Sequence, residues 1–552
     1  MYINNYKETA RREYERWIKN TEDNPLIQNQ LLDMKENEDE ITDSFYCQLT
    51  FGTSGMRGII GPGTNRINEY VVRRATQGLA SYLNRKYKEP SVVISYDSRK
   101  FSYDFARETA QVLSGNNIKA FLFPHLAPVP LLSYAIRHLG CAMGIMITAS
   151  HNPKIFNGYK VYNSEGYQIV GKEPGEILEE INNTDFFTGI KKSEEHIEIL
   201  SSETEESFIR TIGNLSLLKD KTAAEDLSIV YTPLNGTGKT YVSEVLHHAG
   251  FKNLFTVPEQ MEPDENFTTC PYPNPEKAAT FERACRVSDE KGGDLIIGTD
   301  PDSDRVGVVV PHKGINVLLT GNQIGILMLD YLCNFRPPEE GQFIMRSIAT
   351  TPFADRIAEK YGLSVQTTLT GFKYIGEKIS CLGREGREKD FYFGFEESTG
   401  YLAAPFLRDK DGVSGALIIS EAAAWNKSLG RTLLDRLEML YQEFGYCTDR
   451  TENYIFEGIQ GKRSMKAIMK YFREEVKEGT VLGDSTIIGK TDYLGETDLP
   501  KSDVLEFKTA NGTDILLRPS GTEPKMKVYY FETEDAELIR NKVKEIIESF
   551  RI

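Results

Sequence analysis

One stretch of the chain reads Ala142-Met-Gly-Ile-Met-Ile-Thr-Ala-Ser-His-Asn-Pro153. Its first six residues form a short apolar run, which predicts a buried strand. Asn152 and Pro153 end regular structure, because the residue before a proline is excluded from the helical region. Ser150 and His151 therefore lie at the exit of a buried strand, where α/β sheets place their ligands. This position suits a nucleophile, but a serine in such a turn is more often only a turn former, so the pair needs further support.

The sequence around this stretch alternates between strand and helix patterns. Residues 92–96 and 121–123 are apolar, strand-like runs, and residues 105–113 between them have the spacing of a helix. Such alternation predicts a βαβ unit with a mainly parallel sheet. Similar α/β patterns begin again at about residue 227 and about residue 317. The last part of the chain instead has several strand-like runs before one terminal helix, which predicts an α+β module.

A second informative stretch joins an apolar strand to three acidic residues. Residues 295–299 are mostly apolar, and Asp300, Asp302 and Asp304 follow them. In extended backbone alternate residues share one face, so the three carboxylates would crowd together. Such crowding is costly unless a cation neutralises it, and an all-oxygen ligand set favours Mg²⁺ over Ca²⁺ or Mn²⁺. The stretch therefore predicts a metal site rather than an acidic loop in solvent.

Two loops have the composition of phosphate sites. The first, Phe51-Gly-Thr-Ser-Gly-Met-Arg-Gly58, carries three glycines that let backbone N–H groups turn towards an anion, and Arg57 adds charge. A flexible turn explains that loop equally well. The second, Arg518-Pro-Ser-Gly-Thr-Glu-Pro-Lys525, combines an arginine, two hydroxyls, a glycine turn and a lysine, which together suit a phosphate group.

The third α/β region holds weaker signals. Thr370-Gly-Phe-Lys373 and Gly394-Phe-Glu-Glu-Ser398 each follow an apolar or aromatic segment. Glu396 and Ser398 are two residues apart, so both can hydrogen-bond one polyol. The charged turn Arg408-Asp-Lys-Asp-Gly412, taken alone, is typical of solvated surface.

Composition excludes several classes of partner. The 552 residues contain 65 Lys and Arg against 81 Asp and Glu, which gives a formal net charge of −16. That balance disfavours nucleic acid and anionic membranes as partners, and no run approaches the roughly 18 apolar residues of a membrane span. The length predicts three or four domains.

The amino-terminal segment and the cysteines indicate the compartment. Residues 1 to about 44 form a polar leader without a signal-peptide core, in which residues 11–18 predict one helix anchored by Trp17 and Ile18. The seven cysteines include no CxxC pair and are expected to be reduced thiols. A cytoplasmic protein is therefore expected.

Together these loops resemble those of one family, the α-D-phosphohexomutases, which includes the phosphoglucomutases and the phosphomannomutases. The resemblance spans about residues 45–535, in the family's order and spacing. The leader and the length are most similar to those of bacterial phosphoglucomutases of the phosphoglucomutase-2-like kind. The segments that carry the resemblance are 51–58, 148–153, 300–305, 394–398 and 518–525.

The resemblance implies an α/β fold with three similar mixed-sheet α/β domains plus a smaller C-terminal α+β domain around a central cleft. Each domain would give one loop to the cleft: a phosphoserine loop, a metal-binding loop, a sugar-binding loop and a phosphate-binding loop. The expected domains span residues 1–205, 206–316, 317–435 and 436–552.

The resemblance also implies roles for single residues. Ser150 would carry a phosphoryl group between turnovers and share Mg²⁺ with the three aspartates Asp300, Asp302 and Asp304. The general acid and base are expected among His151, Lys160 and Lys410, with Lys410 the first choice, and Arg305 would neutralise charge. The residues expected to bind substrate are Arg57, Thr370, Gly371, Glu396, Ser398, Arg518, Ser520, Gly521, Thr522 and Lys525.

The implied activity is that of an isomerase of the phosphoglucomutase type. It would interconvert glucose 1-phosphate and glucose 6-phosphate through a phosphoserine enzyme, with Mg²⁺ as cofactor and glucose 1,6-bisphosphate as intermediate and activator. The carboxy-terminal loop has the form found in phosphomannomutase-like members, so a phosphomannomutase or phosphopentomutase stays open. A non-catalytic sugar-phosphate binding protein is the alternative from another class, but it would need neither the serine nor the three aspartates. The expected partner is a small phosphosugar, bound by a monomer or dimer.

Overall fold

Four β-sheets follow one another along the chain, each built from its own run of sequence. A computed structural model describes residues 2–52, 55–219, 221–456, 458–520, 525–533 and 535–551. We call the four units that carry these sheets domains I to IV. The residue boundaries expected above stay a prediction.

Three helices precede the first sheet, where the sequence predicted one. The three helices are separate because Asn24 and Asn37 each cap the start of a new helix. Their side chains accept hydrogen bonds from the backbone N–H groups of Ile27 and Glu40. Trp17 is fully buried, as its predicted role as an anchor requires. The helices are α1 (Tyr2–Asn20), α2 (Pro25–Asp33) and α3 (Glu38–Phe45).

Domain I has a six-stranded mixed sheet in the order β1-β5-β4-β2-β3-β6. Strands β4, β2, β3 and β6 run parallel; at one side β5 is antiparallel to β4, and the edge strand β1 is antiparallel to β5. Every residue of β4 is buried, which confirms the predicted buried strand before Thr148. The elements are β1 (Gly55–Ile59), α4 (Glu69–Lys86), β2 (Ser91–Tyr96), α5 (Ser102–Gly115), β3 (Lys119–Leu122), α6 (Val129–His138), β4 (Met143–Ile147), β5 (Phe156–Asn163), α7 (Glu173–Asn182) and β6 (Ile197–Ile199).

Domain II repeats the pattern with a five-stranded sheet in the order β11-β10-β9-β7-β8. Strand β9 is buried along its whole length, and the acidic loop leaves its carboxyl end. The elements are α8 (Glu203–Gly213), α9 (Lys221–Asp226), β7 (Ser228–Thr232), α10 (Gly238–Ala249), β8 (Asn253–Thr256), α11 (Pro258–Met261), a 3₁₀ turn (Ala278–Phe281), α12 (Glu282–Lys291), β9 (Leu295–Thr299), β10 (Val306–His312) and β11 (Ile315–Leu318).

Domain III has a four-stranded mixed sheet in the order β13-β12-β14-β15. Its helix α16 is apolar almost all round and contacts helices and strands of both domain II and domain III. The elements are α13 (Gly321–Phe335), β12 (Phe343–Ser347), α14 (Phe353–Lys360), β13 (Ser364–Thr368), α15 (Lys373–Arg384), a 3₁₀ turn (Glu388–Asp390), β14 (Phe391–Glu396), β15 (Gly400–Leu402), α16 (Gly412–Ser428) and α17 (Leu433–Phe444).

Domain IV is an α+β unit with an antiparallel sheet in the order β16-β21-β20-β19-β18-β17. Most of its buried apolar side chains form a core of their own, separate from the large core that domains I, II and III share. The elements are β16 (Thr448–Ile455), α18 (Gly458–Glu474), β17 (Val481–Leu482), β18 (Ser485–Asp492), β19 (Leu505–Thr509), β20 (Asp514–Pro519), β21 (Lys525–Glu532) and α19 (Glu537–Ser549).

Two further sequence expectations can be compared with this fold. All seven cysteines are free thiols, as predicted. No helix in the described ranges is long and apolar enough to cross a membrane.

Candidate active site

The serine of the first predicted loop lies in a strained turn just after β4. Ser150 has a φ of 52°, in the left-handed region that residues other than glycine adopt only at a cost. It is buried, and its Oγ donates a hydrogen bond of 2.8 Å to Asp300 Oδ2. The same Oγ lies 3.2 Å from His151 Nδ1. The serine hydroxyl therefore joins the loop of domain I to the acidic loop of domain II.

The three aspartates after β9 form one buried cluster. A carboxylate oxygen from each of Asp300, Asp302 and Asp304 lies within 4.8 Å of the other two. Burial, together with the charges of Asp302 and Asp304, raises the pKa of Asp300 well above its ordinary value. Within the described ranges, Asp302 Oδ1 and Asp304 Oδ1 are buried without a hydrogen-bond partner. Crowded carboxylates with unused oxygens fit a divalent cation, and the all-oxygen set suits Mg²⁺.

Two lysines from different domains contact this cluster. Lys160 Nζ, on β5, lies 2.8 Å from Asp302 Oδ2, and Lys410 Nζ lies 3.1 Å from Asp304 Oδ2. Burial acts against a charge on Lys410, but the carboxylates of Asp304 and Asp409 raise the pKa of that lysine above its ordinary value. Lys410 is therefore an ammonium group beside the aspartates.

Arg305 is held by a glutamate that the sequence did not single out. Its Nη1 lies 3.2 Å from Glu276 Oε1, and its backbone N–H donates a hydrogen bond of 3.1 Å to Asp300 Oδ1. The guanidinium thus lies beside the acidic cluster and is paired with a carboxylate from the same domain.

The histidine beside the serine is surrounded by cations. Burial, together with the charges of Arg305 and Arg57, lowers the pKa of His151 well below its ordinary value. Arg57 donates a hydrogen bond of 3.1 Å to Asn152 Oδ1, so the glycine-rich loop reaches the serine loop. Two residues of the glycine-rich loop, Thr53 and Ser54, lie outside the described residues.

The charged turn after the sugar loop is buried, so the expectation of a solvated surface is wrong. Arg408 donates from Nε to Ser380 Oγ at 3.0 Å and from its backbone N–H to Ser133 Oγ at 3.2 Å. Asp411 accepts a hydrogen bond of 2.9 Å from the backbone N–H of Val413 and so caps α16. The charges are tolerated because each has a partner, and several of these partners, such as Asp304 for Lys410 and Ser380 for Arg408, are distant in sequence.

The predicted sugar loop places one carboxylate against a backbone N–H of domain III. Glu396 Oε1 accepts a hydrogen bond of 2.6 Å from Gly371. Burial, together with the charge of Glu397, raises the pKa of Glu396 to about 7. Thr370 Oγ1 is buried without a hydrogen-bond partner in the described part of the chain, and Ser398 is half-buried. The sugar loop therefore offers a carboxylate and the hydroxyl of Ser398, and the segment that it contacts through Gly371 adds the hydroxyl of Thr370.

Domain IV reaches the sugar loop through a tyrosine. Tyr529 OH, on β21, donates a hydrogen bond of 3.3 Å to Glu397 Oε1. Arg518 on β20 pairs in register with Lys527 on β21. The backbone N–H of Ser520 donates to the carbonyl of Lys525 at 2.8 Å. The other two predicted phosphate ligands of this loop, Gly521 and Thr522, lie outside the described residues.

Sequence reasoning missed several residues that the structure brings to this region. Asp97 and Arg99 follow β2 and lie next to the serine loop, and Glu276 pairs with Arg305. Asp97 and Arg99 could have been predicted as site residues, because they follow the carboxyl end of β2, the strand beside β4. Glu276 lies in an irregular segment and could not have been predicted in this way.

Four family models match the chain in order. They are the phosphoglucomutase/phosphomannomutase alpha/beta/alpha domain I at residues 48–188, domain II at 206–314, domain III at 320–444 and the C-terminal domain at 464–549.

Known phosphoglucomutases align with nearly the whole chain. The chain is 35% identical to a phosphoglucomutase of Staphylococcus saprophyticus over 515 residues, which is 90% of this chain and 92% of the relative. It is also 35% identical to a phosphoglucomutase of Staphylococcus haemolyticus, with 90% and 95% of the two chains covered. The solved structure of Paramecium parafusin, a phosphoglucomutase, superposes with a TM-score of 0.69 at 19% identity, and 91% of this chain and 96% of that chain are covered.

Three α/β domains and a C-terminal α+β domain in this order define the phosphohexomutase class. The chain belongs to the phosphoglucomutase/phosphomannomutase family.

Proposed function

We propose that the protein is a phosphoglucomutase, an isomerase that interconverts glucose 1-phosphate and glucose 6-phosphate. The observation that supports this most directly is the hydrogen bond from Ser150 Oγ to Asp300, inside a cluster of carboxylates and cations. A hydroxyl in such a place can accept and return a phosphoryl group. The two staphylococcal relatives bear the name phosphoglucomutase, which favours glucose over the other sugars.

The charges around Ser150 suit phosphoryl transfer. This reaction needs little covalent help from the protein and depends on in-line positioning and charge neutralisation. Lys160 and Arg305 would face the transferred group, and Lys410 would give a proton to the departing oxygen. Asp300, Asp302 and Asp304, with an oxygen of phosphorylated Ser150, would hold Mg²⁺. When bound, that ion would neutralise charge on the phosphoryl oxygens.

The remaining loops would hold the rest of the substrate. Glu396 and Ser398 would bind sugar hydroxyls, with Thr370 and Gly371 beside them. Arg57 and the loop of domain IV would bind the phosphate that is not being transferred, through Arg518, Ser520, Gly521, Thr522 and Lys525. A phosphate site that accepts either end of glucose 1,6-bisphosphate lets the intermediate turn over and return its other phosphate to Ser150.

A substrate panel tests the assignment. Purified protein with Mg²⁺ and a trace of glucose 1,6-bisphosphate would receive glucose 1-phosphate, mannose 1-phosphate, glucosamine 1-phosphate or ribose 1-phosphate. We expect kcat/KM for glucose 1-phosphate to exceed the others by about tenfold or more, which is about 1.4 kcal/mol of transition-state binding. A preference for mannose or ribose 1-phosphate would change the assigned substrate. If none of the four sugar phosphates is turned over, the non-catalytic binding protein is the remaining function.

Substrate binding is expected to weaken as the pH falls through 7, because of Glu396. Burial raises the pKa of this carboxyl to about 7, so the carboxylate that accepts sugar hydroxyls is lost below that pH. Between pH 8 and pH 6 the ionised fraction drops about tenfold, and KM for glucose 1-phosphate should rise by roughly that factor. The measurement is KM against pH for the wild type and for Glu396→Gln.

The Glu396→Gln variant separates this effect from the substrate's own titration. The phosphate of the substrate also ionises near pH 6, but it does so equally in both proteins. The ratio of the two KM values should therefore approach one at low pH and grow at high pH. A ratio that stays constant across the range would show that Glu396 does not contact the sugar.

A further inference from the structure

We propose that Arg99 is a positioning residue for Ser150: it holds the backbone of the serine loop so that the hydroxyl faces the acidic cluster. This inference rests on the proposed function, since it assumes that Ser150 receives the phosphoryl group. Arg99 lies directly after β2, in a short Asp97-Ser-Arg99 segment at the sheet edge from which the serine loop also leaves.

The guanidinium of Arg99 gathers four carbonyl groups of one loop. Its Nη1 donates to the carbonyl oxygens of Pro153 at 3.0 Å and Phe156 at 3.1 Å. Its Nη2 donates to the carbonyl oxygens of Ser150 and Asn152. The side chain is completely buried. Because all four Nη hydrogens are used on backbone oxygens and Nε lies 3.1 Å from Asp97 Oδ2, the guanidinium serves the loop rather than a substrate phosphate.

Asp97 stabilises the other side of Ser150, its backbone N–H, through Thr148. Its Oδ2 lies 3.1 Å from Arg99 Nε and accepts a hydrogen bond of 2.6 Å from Thr148 Oγ1. Thr148 Oγ1 in turn accepts a hydrogen bond of 2.8 Å from the backbone N–H of Ser150. The serine is therefore fixed at its carbonyl by Arg99 and at its N–H by the chain from Asp97 through Thr148.

The hydrogen bonds at the carbonyl and the N–H of Ser150 stabilise its left-handed backbone conformation. A φ of 52° is costly for a residue with a Cβ and persists only when its surroundings enforce it. Relaxation of that angle would swing Oγ away from Asp300. A planar fork of donors suits several carbonyls at once, and a lysine, with one nitrogen, does not reproduce it.

Domain II supports the arginine from outside the loop. The ring of Phe267 lies 5.0 Å from the Arg99 guanidinium carbon, in the geometry of a cation–π contact. The loop that carries Ser150 is thus held against domain II by the serine hydroxyl at Asp300, by Thr148 at Asp302 and, through Arg99, by Phe267.

The test compares the Arg99→Lys variant with the Arg436→Lys variant. Arg436 is a matched control, because it is also buried and forms a bidentate pair, with Asp330 at 2.6 and 2.7 Å, but it lies in α17 and contacts none of the proposed site residues. The reaction followed is phosphorylation of Ser150 by glucose 1,6-bisphosphate. A P–O bond to the sugar breaks, a P–O bond to Ser150 Oγ forms, and the serine proton ends on the released sugar hydroxyl. Intact-protein mass spectrometry measures its rate.

In the Arg99→Lys variant we expect the phosphorylation rate and kcat to fall together by roughly tenfold to a hundredfold, the scale of a small misplacement of a reacting atom. KM should change by less than about twofold. The Arg436→Lys variant should melt at a lower temperature but keep wild-type kinetics. If Arg99→Lys does not fold, Thr148→Val keeps the side-chain shape, breaks the grip on the Ser150 N–H, and should slow phosphorylation in the same way.

The outcomes separate this inference from the proposed function. A folded Arg99→Lys variant that is phosphorylated at the wild-type rate would overturn the positioning role, as would a raised KM at unchanged phosphorylation rate. If Arg99→Lys does not fold, a Thr148→Val variant whose Ser150 is phosphorylated at the wild-type rate would also overturn the positioning role. Wild-type protein that is never phosphorylated at Ser150 would instead overturn the proposed function itself.

Discussion

Replacement of Ser150 by alanine is expected to abolish mutase turnover, with a loss of at least about a thousandfold in kcat. The variant lacks the only atom in the proposed mechanism that can carry the phosphoryl group between the two ends of the sugar, and removal of a covalent nucleophile typically costs this much or more. The fold should survive, because the alanine removes one hydroxyl whose partners, Asp300 and His151, can bind water instead. A coupled assay for glucose 6-phosphate measures the loss.

The Ser95→Ala variant provides the matched control for this prediction. Ser95 is another buried serine of domain I, but its Oγ donates to the carbonyl of Ala127 at 2.6 Å and does not contact the aspartates. It should retain turnover while it loses some thermal stability. Undiminished turnover by Ser150→Ala at matched purity would remove this serine from the reaction.

Asp302→Asn is expected to lower turnover by at least about a hundredfold and to abolish the stabilisation of the protein by Mg²⁺. Asp302 Oδ1 is buried and without a hydrogen-bond partner in the described part of the chain, so it is a free ligand for a cation. A ligand that binds only the folded state raises the free energy of unfolding, by about 2.7 kcal/mol at a hundredfold excess over Kd, and therefore raises the melting temperature. The measurement is the melting temperature of both proteins with EDTA and with Mg²⁺.

The variant without metal should be less stable than the wild type without metal, because the substitution removes the charge that pairs with Lys160 at 2.8 Å; the response to Mg²⁺ is therefore compared within each protein. Asp355→Asn is the control: this half-buried aspartate of domain III pairs with Arg346 and should leave the response to Mg²⁺ unchanged. Wild-type protein that is indifferent to EDTA, in both turnover and melting temperature, would remove the acidic cluster from the mechanism.

The acidic cluster could be predicted from the sequence because its three members are close together in the chain and follow an apolar strand. The Ser150 loop was predictable for the same reason, and so was the α+β character of domain IV. In each case local periodicity and a short motif carry the information. The family resemblance then supplied the order of the four loops.

The grip of Arg99 and the buried state of the turn at residues 408–411 could not be predicted in this way. Both depend on contacts between segments that lie some 50 to 300 residues apart, such as Arg99 with Pro153 and Arg408 with Ser133. A charged residue carries no local sign of whether a distant carbonyl or carboxylate will compensate its burial. The three-helix leader is hard to predict for a different reason: its second and third helices begin at the caps Asn24 and Asn37, which are single polar residues in a segment that is polar throughout.

The chain contains two tryptophans, and their positions decide what intrinsic fluorescence can report. Trp17 is fully buried between the leader and domain I, and Trp425 is half-buried on α16, packed against the core shared by domains I, II and III. Domain IV, most of whose buried apolar side chains form a separate core, has no tryptophan. A denaturation curve followed by tryptophan emission would therefore leave domain IV unobserved, and a tyrosine, circular-dichroism or calorimetric signal is needed to show whether it melts with the rest.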